Sequence, residues 1–260
     1  MQMLGMFARQ PEPGKTKTRL AATVGDEVAA ALYAAFVQDL LARVPQLAEQ
    51  FLLAVTPDTA PTRAWFKSQV PDAVLLPQPD GDLGGRIDWF FRTAAEQGGS
   101  RIVLIGSDSP DLPSGHITAA FAALQDVDLV LSPASDGGYV LIGLRQPNAA
   151  LFQDIPWSSA ATLTATLERA AALGLSTRLI APWYDIDTIQ NLGTLWPLQN
   201  VVSQFRAEGG RAEGRRTDDG CTDDERADDH LNDSVRADCP RTLATLEQHA
   251  NLIIEQLRQH

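Results

Sequence analysis

The chain has 260 residues, 44% hydrophobic and 21% charged, which supplies apolar side chain for one generous core or two small ones. Its 33 acidic residues against 21 basic ones give a formal charge of −12. That balance argues against a general nucleic-acid binder, whose affinity rests on a basic surface, but leaves room for a small phosphorylated ligand in a local basic pocket.

In chain order, short apolar runs alternate with longer stretches of helical spacing. Leu4–Phe7 reads as a first buried strand and is followed by a basic, proline-rich loop. Asp26–Val44 then repeats apolar residues at helical spacing through Val28, Leu32, Phe36, Leu40 and Leu41. Phe51–Val55, Ala73–Leu76, Ile102–Ile105, Leu129–Leu131 and Tyr139–Leu144 read as further strands, bounded by Gly, Pro or Asp, with Thr177–Ile180 the last. Between them Arg86–Glu96, Ser114–Leu124 and Thr162–Leu173 read as helices, with Ser114 an N-cap and Gly174 a C-terminal stop. Such alternation predicts an α/β fold with a mainly parallel sheet flanked by helices, and ligands beyond the carboxyl ends of its strands.

The composition breaks near residue 204. Residues 204–238 carry 11 acidic and 6 basic side chains with Phe205 the only aromatic, a stretch expected to be a disordered acidic insertion. Helical spacing returns through Leu243, Leu246, Ile253, Ile254 and Leu257, which predicts one helix over 242–257 packing back on the domain. The two cysteines, Cys221 and Cys239, both fall late, so no disulfide framework holds the main fold. No apolar run reaches the ~18–20 residues of a membrane span, and Met1–Phe7 lacks the charged start of a secretory signal. The expectation is a cytoplasmic protein.

Four loops carry chemistry. In the first, after the first strand, Arg9, Lys15, Lys17 and Arg19 stand against Glu12 alone, so the loop is +3 and holds two of the chain's three lysines. Cations beside Gly14 suit a phosphate, although the Walker A spacing is absent. The second, Gly106-Ser-Asp-Ser-Pro-Asp-Leu-Pro113, places Asp108 at a strand end, where a hard oxygen donor suits Mg²⁺ or Mn²⁺; Asp111 reads equally as a turn and helix cap. The third puts Asp136, Gly137, Gly138 and Tyr139 between two strands, either as a plain hairpin turn or as a substrate-facing loop. In the fourth, Asp185 and Asp187 alternate and in extended backbone share one face, where a cation between them relieves their repulsion. The alternative there is a surface turn with Asp187 or Thr188 capping the next helix.

Six segments, in this order, resemble a bacterial family of GT-A-like transferases labelled arsenosugar-biosynthesis glycosyltransferases, more distantly similar to molybdopterin and phospholactate guanylyltransferases. They are Phe7-Ala-Arg-x-Pro-x-Pro-Gly-x-x-Lys-Thr-Arg-Leu20, Gly81-Asp-Leu-Gly-x-Arg86, Gly106-Ser-Asp-Ser-Pro-Asp-Leu-Pro113, Asp136-Gly-Gly-Tyr139, Ile155-Pro-Trp157 and Asp185-Ile-Asp-Thr188. The resemblance implies a single GT-A (nucleotide-diphospho-sugar transferase, Rossmann-like) domain over 1–203, with 239–260 restoring a closing helix. It implies that Arg9, Lys15 and Arg19, with Gly14 and Lys17, hold a nucleotide diphosphate. Gly81, Asp82 and Arg86 would lie over the base or sugar. Asp108 and Asp187, with Asp185 assisting, would hold Mg²⁺ or Mn²⁺. The second loop has no literal DxD, and the long Gly-x-Gly-Thr-Arg…Pro-Lys signature of nucleotidyltransferases is missing, which favours glycosyl transfer from a nucleotide-sugar to a small-molecule acceptor. Asp136 is then the candidate general base, with Gly137, Gly138 and Tyr139 near the substrate. The alternatives are nucleotidyl transfer from a nucleoside triphosphate, and a non-catalytic nucleotide-binding protein. The four histidines lie outside these segments, which argues against a histidine base or zinc site.

Overall fold

The computed structural model describes residues 1–195 and 238–259. Residues 204–237 of the expected insertion, with Cys221, lie outside the described residues, as does the side chain of Leu257.

Seven strands form one sheet: β1 (Gln2–Arg9), β2 (Gln50–Thr56), β3 (Val74–Pro77), β4 (Arg101–Ile105), β5 (Leu129–Pro133), β6 (Tyr139–Leu144) and β7 (Thr177–Leu179). Their order is β3-β2-β1-β4-β6-β5-β7. Every pairing is parallel except those of β6, which runs antiparallel to β4 and to β5. The reversal follows from the short connection between β5 and β6. Ala134 N–H donates to Gly138 O at 2.9 Å, and Gly137 takes the left-handed φ of +92° that the turn demands.

Side chains alternate across this sheet. Leu4, Met6, Val103 and Ile105 face one helical layer, while Met3, Ile102 and Leu104 face the other. The first layer contains α1 (Thr18–Val24), α2 (Asp26–Arg43), α5 (Ser114–Ala123) and α7 (Ile189–Leu195), and the second α4 (Leu83–Glu96) and α6 (Thr162–Ala172). Both faces of the central strands are apolar, which is why these strands read as continuous hydrophobic runs. Among the described residues, α2 with the 3₁₀ turn after it is long and apolar enough to cross a membrane by length and composition, and it is largely buried in the fold.

Several elements differ from the sequence expectation. α4 begins three residues earlier than expected, because the Asp82 carboxylate accepts the Gly85 N–H at 2.8 Å and starts the helix. Pro113, not Ser114, occupies the N-cap of α5. Helix α3 (Ala60–Gln69) escaped notice because it buries only Thr62 and Phe66, too few apolar positions to show a period. The C-terminal segment is two helices, α8 (Pro240–Gln248) and α9 (Ala250–Gln259), with the break at His249. α8 packs on α2, where the fully buried Asp39 carboxylate accepts Arg241 N–H at 3.0 Å and Thr242 N–H at 2.8 Å. A residue of α2 thus supplies the N-terminal cap that α8 lacks in its own sequence.

Strand order reverses about β1 and β4, so the loops after these two strands flank a crevice at the carboxyl edge of the sheet. The loops after β5 and β7 open on the same edge.

Candidate functional site

The loop after β1 folds on itself. Lys15 and Thr16 N–H groups donate to Glu12 O at 3.0 and 3.2 Å, and the Arg9 guanidinium donates to Lys15 O at 3.1 Å. Lys17 then adopts a left-handed backbone (φ 50°, ψ 45°) at the N-cap of α1, which turns its side chain inward. Its ammonium lies 2.5 Å from Asp108 Oδ1 and 2.8 Å from Asp187 Oδ1, and 6.0 Å from the ring centroids of Tyr33 and Phe36 on α2. The lysine side chain is 5% exposed, whereas those of Asp108 and Asp187 are 44% and 41% exposed. Burial lowers the lysine's proton affinity, but the two carboxylates outweigh it and hold the group above its ordinary range, so it is a fixed cation.

Tyr33 fastens the surrounding walls. Its hydroxyl accepts Arg9 N–H at 2.9 Å and pairs with Ser107 Oγ at 2.7 Å, and burial pushes it up to about 12. The loops after β4 and β7 are stitched together. Ile186 N–H donates to Asp108 O at 2.9 Å, and Ser109 Oγ lies 2.8 Å from both Tyr184 O and Asp185 Oδ1 as donor. The Asp111 carboxylate accepts from Trp183 Nε1 at 3.2 Å and from the Tyr184 hydroxyl. From α2, the Arg43 guanidinium donates to Pro110 O and Leu112 O, each at 2.6 Å. Asp111 is therefore a brace between loops, not a ligand, and its burial raises its proton affinity.

Two clefts meet at Asp108. The first, about 360 Å³, is lined by Arg9, Lys15, Thr16, Lys17, Thr18, Arg19, Tyr33, Asp108 and Asp187. The second, about 250 Å³, is mostly apolar, with Phe7, Leu83, Ile87, Tyr139 and Leu141 on its walls and Asp108 and Asp185 at its polar side. The alternating pair Asp185 and Asp187 is thereby divided between the clefts, Asp187 going to Lys17 and Asp185 to Ser109.

Asp185 is pushed up to about 6, by burial first and then by the Asp108 charge, against the Ser109 hydrogen bond and Lys17. Between the unfolded carboxylate value near 3.8 and about 6 the folded chain holds a proton that the unfolded chain releases, so stability falls as pH rises through that window. Asp185→Asn is expected to raise Tm by a few degrees at pH 7.5 in the presence of a chelator, the gain vanishing below pH 4. Thermal unfolding at the two pH values checks it.

Of the residues expected from sequence, Arg9, Lys15, Lys17, Arg19, Asp108 and Asp187 converge on the first cleft, and Asp185 and Tyr139 on the second. Others line neither. Asp136 is exposed, its carboxylate accepts Gly138 N–H at 2.9 Å and so braces its own turn, and it lines neither cleft. Gly137 packs against Ala160, and a Cβ there would lie 2.4 Å from Ala160 O. Gly138 supplies the N–H that Asp136 accepts. Gly14 gives the loop a left-handed turn at φ +73°, and Gly81 does the same before α4 at φ +127°. Asp82 is the α4 cap, and Arg86 lies within that helix, part-buried, and lines neither cleft, although Leu83 and Ile87 beside it line the second. Thr16, Thr18 and Tyr33 were missed. Tyr33 sits inside the helical apolar pattern of α2, where a hydroxyl aimed at a loop leaves no separate signal.

The donor set fits a divalent cation in part. Asp108 and Asp187 each aim Oδ1 at a single cation, the Lys17 ammonium, and their part-exposed carboxylates are donors hard enough for Mg²⁺ or Mn²⁺. Among the described residues no three acidic, histidine or cysteine side chains form a closed cage, so phosphate oxygens would have to complete the coordination.

Residues 40–159 match a family described as an uncharacterized protein conserved in bacteria, DUF2064. A solved structure from Desulfovibrio desulfuricans G20, described as a "putative nucleotide-diphospho-sugar transferase", is 31% identical over 98% of this chain and 97% of its own, with a TM-score of 0.77. The inositol-1-phosphate CTP transferase from T. maritima is 14% identical over 79% of this chain and 96% of its own (TM-score 0.47). A cytidylyltransferase from Leptospira borgpetersenii is 12% identical over 83% and 99% (TM-score 0.45). Comparison with curated proteins gives no match. Identity of 31% across nearly the whole of both chains, together with the family match through the loops after β4 and β5, places the chain in the DUF2064 family, with the α/β fold of a GT-A-like nucleotide-diphospho-sugar transferase.

Proposed function

We propose that the protein is a glycosyltransferase that moves a sugar from a nucleotide-diphosphate-sugar to a small-molecule acceptor. The observation that carries this reading is the junction at Asp108 of a cationic cleft, of a size and charge for a diphosphate, with an apolar cleft able to take a second molecule. The 31% identical Desulfovibrio protein, with its description as a nucleotide-diphospho-sugar transferase, supports it.

In this reading Arg9, Lys15 and Arg19 bind the diphosphate and neutralise charge that grows on it as the bond to the anomeric carbon breaks. The Lys15 and Thr16 N–H bonds to Glu12 O close the loop on itself, and the Lys15 ammonium, paired with the Glu12 carboxylate at 2.6 Å, exchanges that partner for the phosphate. Asp108 and Asp187 would hold Mg²⁺ or Mn²⁺, which when bound supplies further neutralisation of the diphosphate. The acceptor sits against Phe7, Ile87 and Tyr139, with its hydroxyl offered to Asp185. The walls of that cleft exclude water that would otherwise compete for the sugar.

The test is product analysis with a panel of nucleotide-sugars and nucleoside triphosphates. Release of nucleoside diphosphate from a nucleotide-sugar is expected. Release of pyrophosphate from a triphosphate would instead assign nucleotidyl transfer, and binding without turnover would assign a non-catalytic nucleotide-binding protein.

A further inference from the structure

The phosphate cleft raises the question of what sits between its two carboxylates. Asp108 and Asp187 lie on separate loops, after β4 and β7, and both reach Lys17 Nζ, at 2.5 and 2.8 Å. That ammonium is not a surface group that strays in. Its side chain is 5% exposed, rises from a left-handed backbone position, and is walled by the rings of Tyr33 and Phe36. The carboxylate pair is therefore already neutralised in part by a cation of the chain itself. The balance of the whole cleft points the same way. Arg9, Lys15, Lys17 and Arg19 face Asp108 and Asp187, and Glu12 pairs with the Lys15 ammonium at 2.6 Å, so four cations stand against three anions and the cleft is net positive by one charge. Coulomb repulsion then disfavours entry of a free divalent cation, while a diphosphate, or a cation already bound to one, is attracted.

We propose that Lys17 is a gate on the divalent-ion site: by occupying the gap between Asp108 and Asp187 it excludes free Mg²⁺ or Mn²⁺, so that the cation is accepted only together with a diphosphate. The inference rests on the functional reading above and adds to it an order of binding, diphosphate before or with the metal and never after it. The Lys17 ammonium also keeps the two carboxylates oriented toward one point.

Mn²⁺ titration followed by water-proton relaxation enhancement, which reports Mn²⁺ held on the macromolecule, tests the gate with inorganic pyrophosphate as the diphosphate probe. The wild-type chain is expected to give no saturable enhancement with Mn²⁺ alone up to millimolar concentration and a clear one when pyrophosphate is added. Lys17→Met, which keeps the buried stem and removes the charge, is expected to bind Mn²⁺ alone at least tenfold more tightly than wild type. Lys17→Arg, which keeps the charge, is expected to stay within a few-fold of wild type, and circular dichroism checks that both variants fold. Tight binding of free Mn²⁺ by the wild-type chain would overturn the gate with no variant needed. So would an unchanged Mn²⁺ affinity in a folded Lys17→Met chain. Neither result touches the nucleotide-sugar assay, whereas a wild-type chain that binds no pyrophosphate, with or without Mn²⁺, would sink the functional reading together with the gate.

Discussion

Asp108→Asn is expected to lower the transfer rate by roughly 10²–10³-fold, the scale of removing one preorganised electrostatic contact from an active site, while leaving the fold intact. The expectation follows from the place of Asp108 at the meeting of the two clefts, where it lines both the cationic and the apolar one. The fold survives because the main-chain bond from Ile186 N–H to Asp108 O does not need the side chain, and because Lys17 keeps Asp187 as its partner. A second readout separates this from a merely local disturbance. The Asp108 charge is one of the causes that lift Asp185, so the Asp185 carboxyl should titrate at lower pH in the variant than its wild-type value of about 6, as seen by carbon-detected NMR. Asp136→Asn is the contrast. Its carboxylate is engaged with its own turn and outside the clefts, so the rate should change less than about threefold. If the two variants lose activity equally, the site is misplaced.

The α/β class and the positions of all seven strands were legible, because most are short apolar runs closed by Gly, Pro or Asp, and burial on both faces of the central ones leaves such runs unbroken. The charge of the first loop was equally plain, since two of three lysines stand there. What the sequence could not carry was pairing across distance. That Lys17 would meet Asp108 and Asp187 depends on strand order and on a left-handed backbone at a lysine, a conformation no residue type announces there. The roles of Asp111 and Asp136 were open for the same reason. An aspartate in a turn caps, braces or ligates according to which N–H or O–H groups the fold brings to it, and only the fold set Tyr184 and Trp183 against the one and Gly138 N–H against the other. The alternation of Asp185 and Asp187 led to the expectation of one shared face, and the structure divides them between two clefts, because the neighbours that claim each carboxylate, Ser109 and Lys17, come from the loops after β4 and β1.

Gly5→Ala should be strongly destabilising. Gly5 lies at the middle of β1, paired with Leu52 on one side and Leu104 on the other. A Cβ built there would fall 1.9 Å from Phe90 Cζ and 2.6 Å from both flanking ring carbons. Phe90 cannot simply swing away, since its ring is fully buried and set edge-on between Phe7 at 5.8 Å and Phe91 at 5.9 Å. Either the ring or β1 must shift, and overpacking of a dense core costs about 1–3 kcal/mol or more. For a chain of this size that lowers Tm by roughly 2–4 °C per kcal/mol. The damage extends to the clefts, because Phe7 lines the apolar cleft two residues on and Arg9 lines the cationic one. Phe90→Leu in the same chain removes the ring atoms that the new methyl meets. The double variant should therefore be more stable than the sum of the two single losses predicts, a coupling that thermal unfolding of all four chains measures. Strict additivity would mean that the glycine is kept for its backbone and not for the ring it admits.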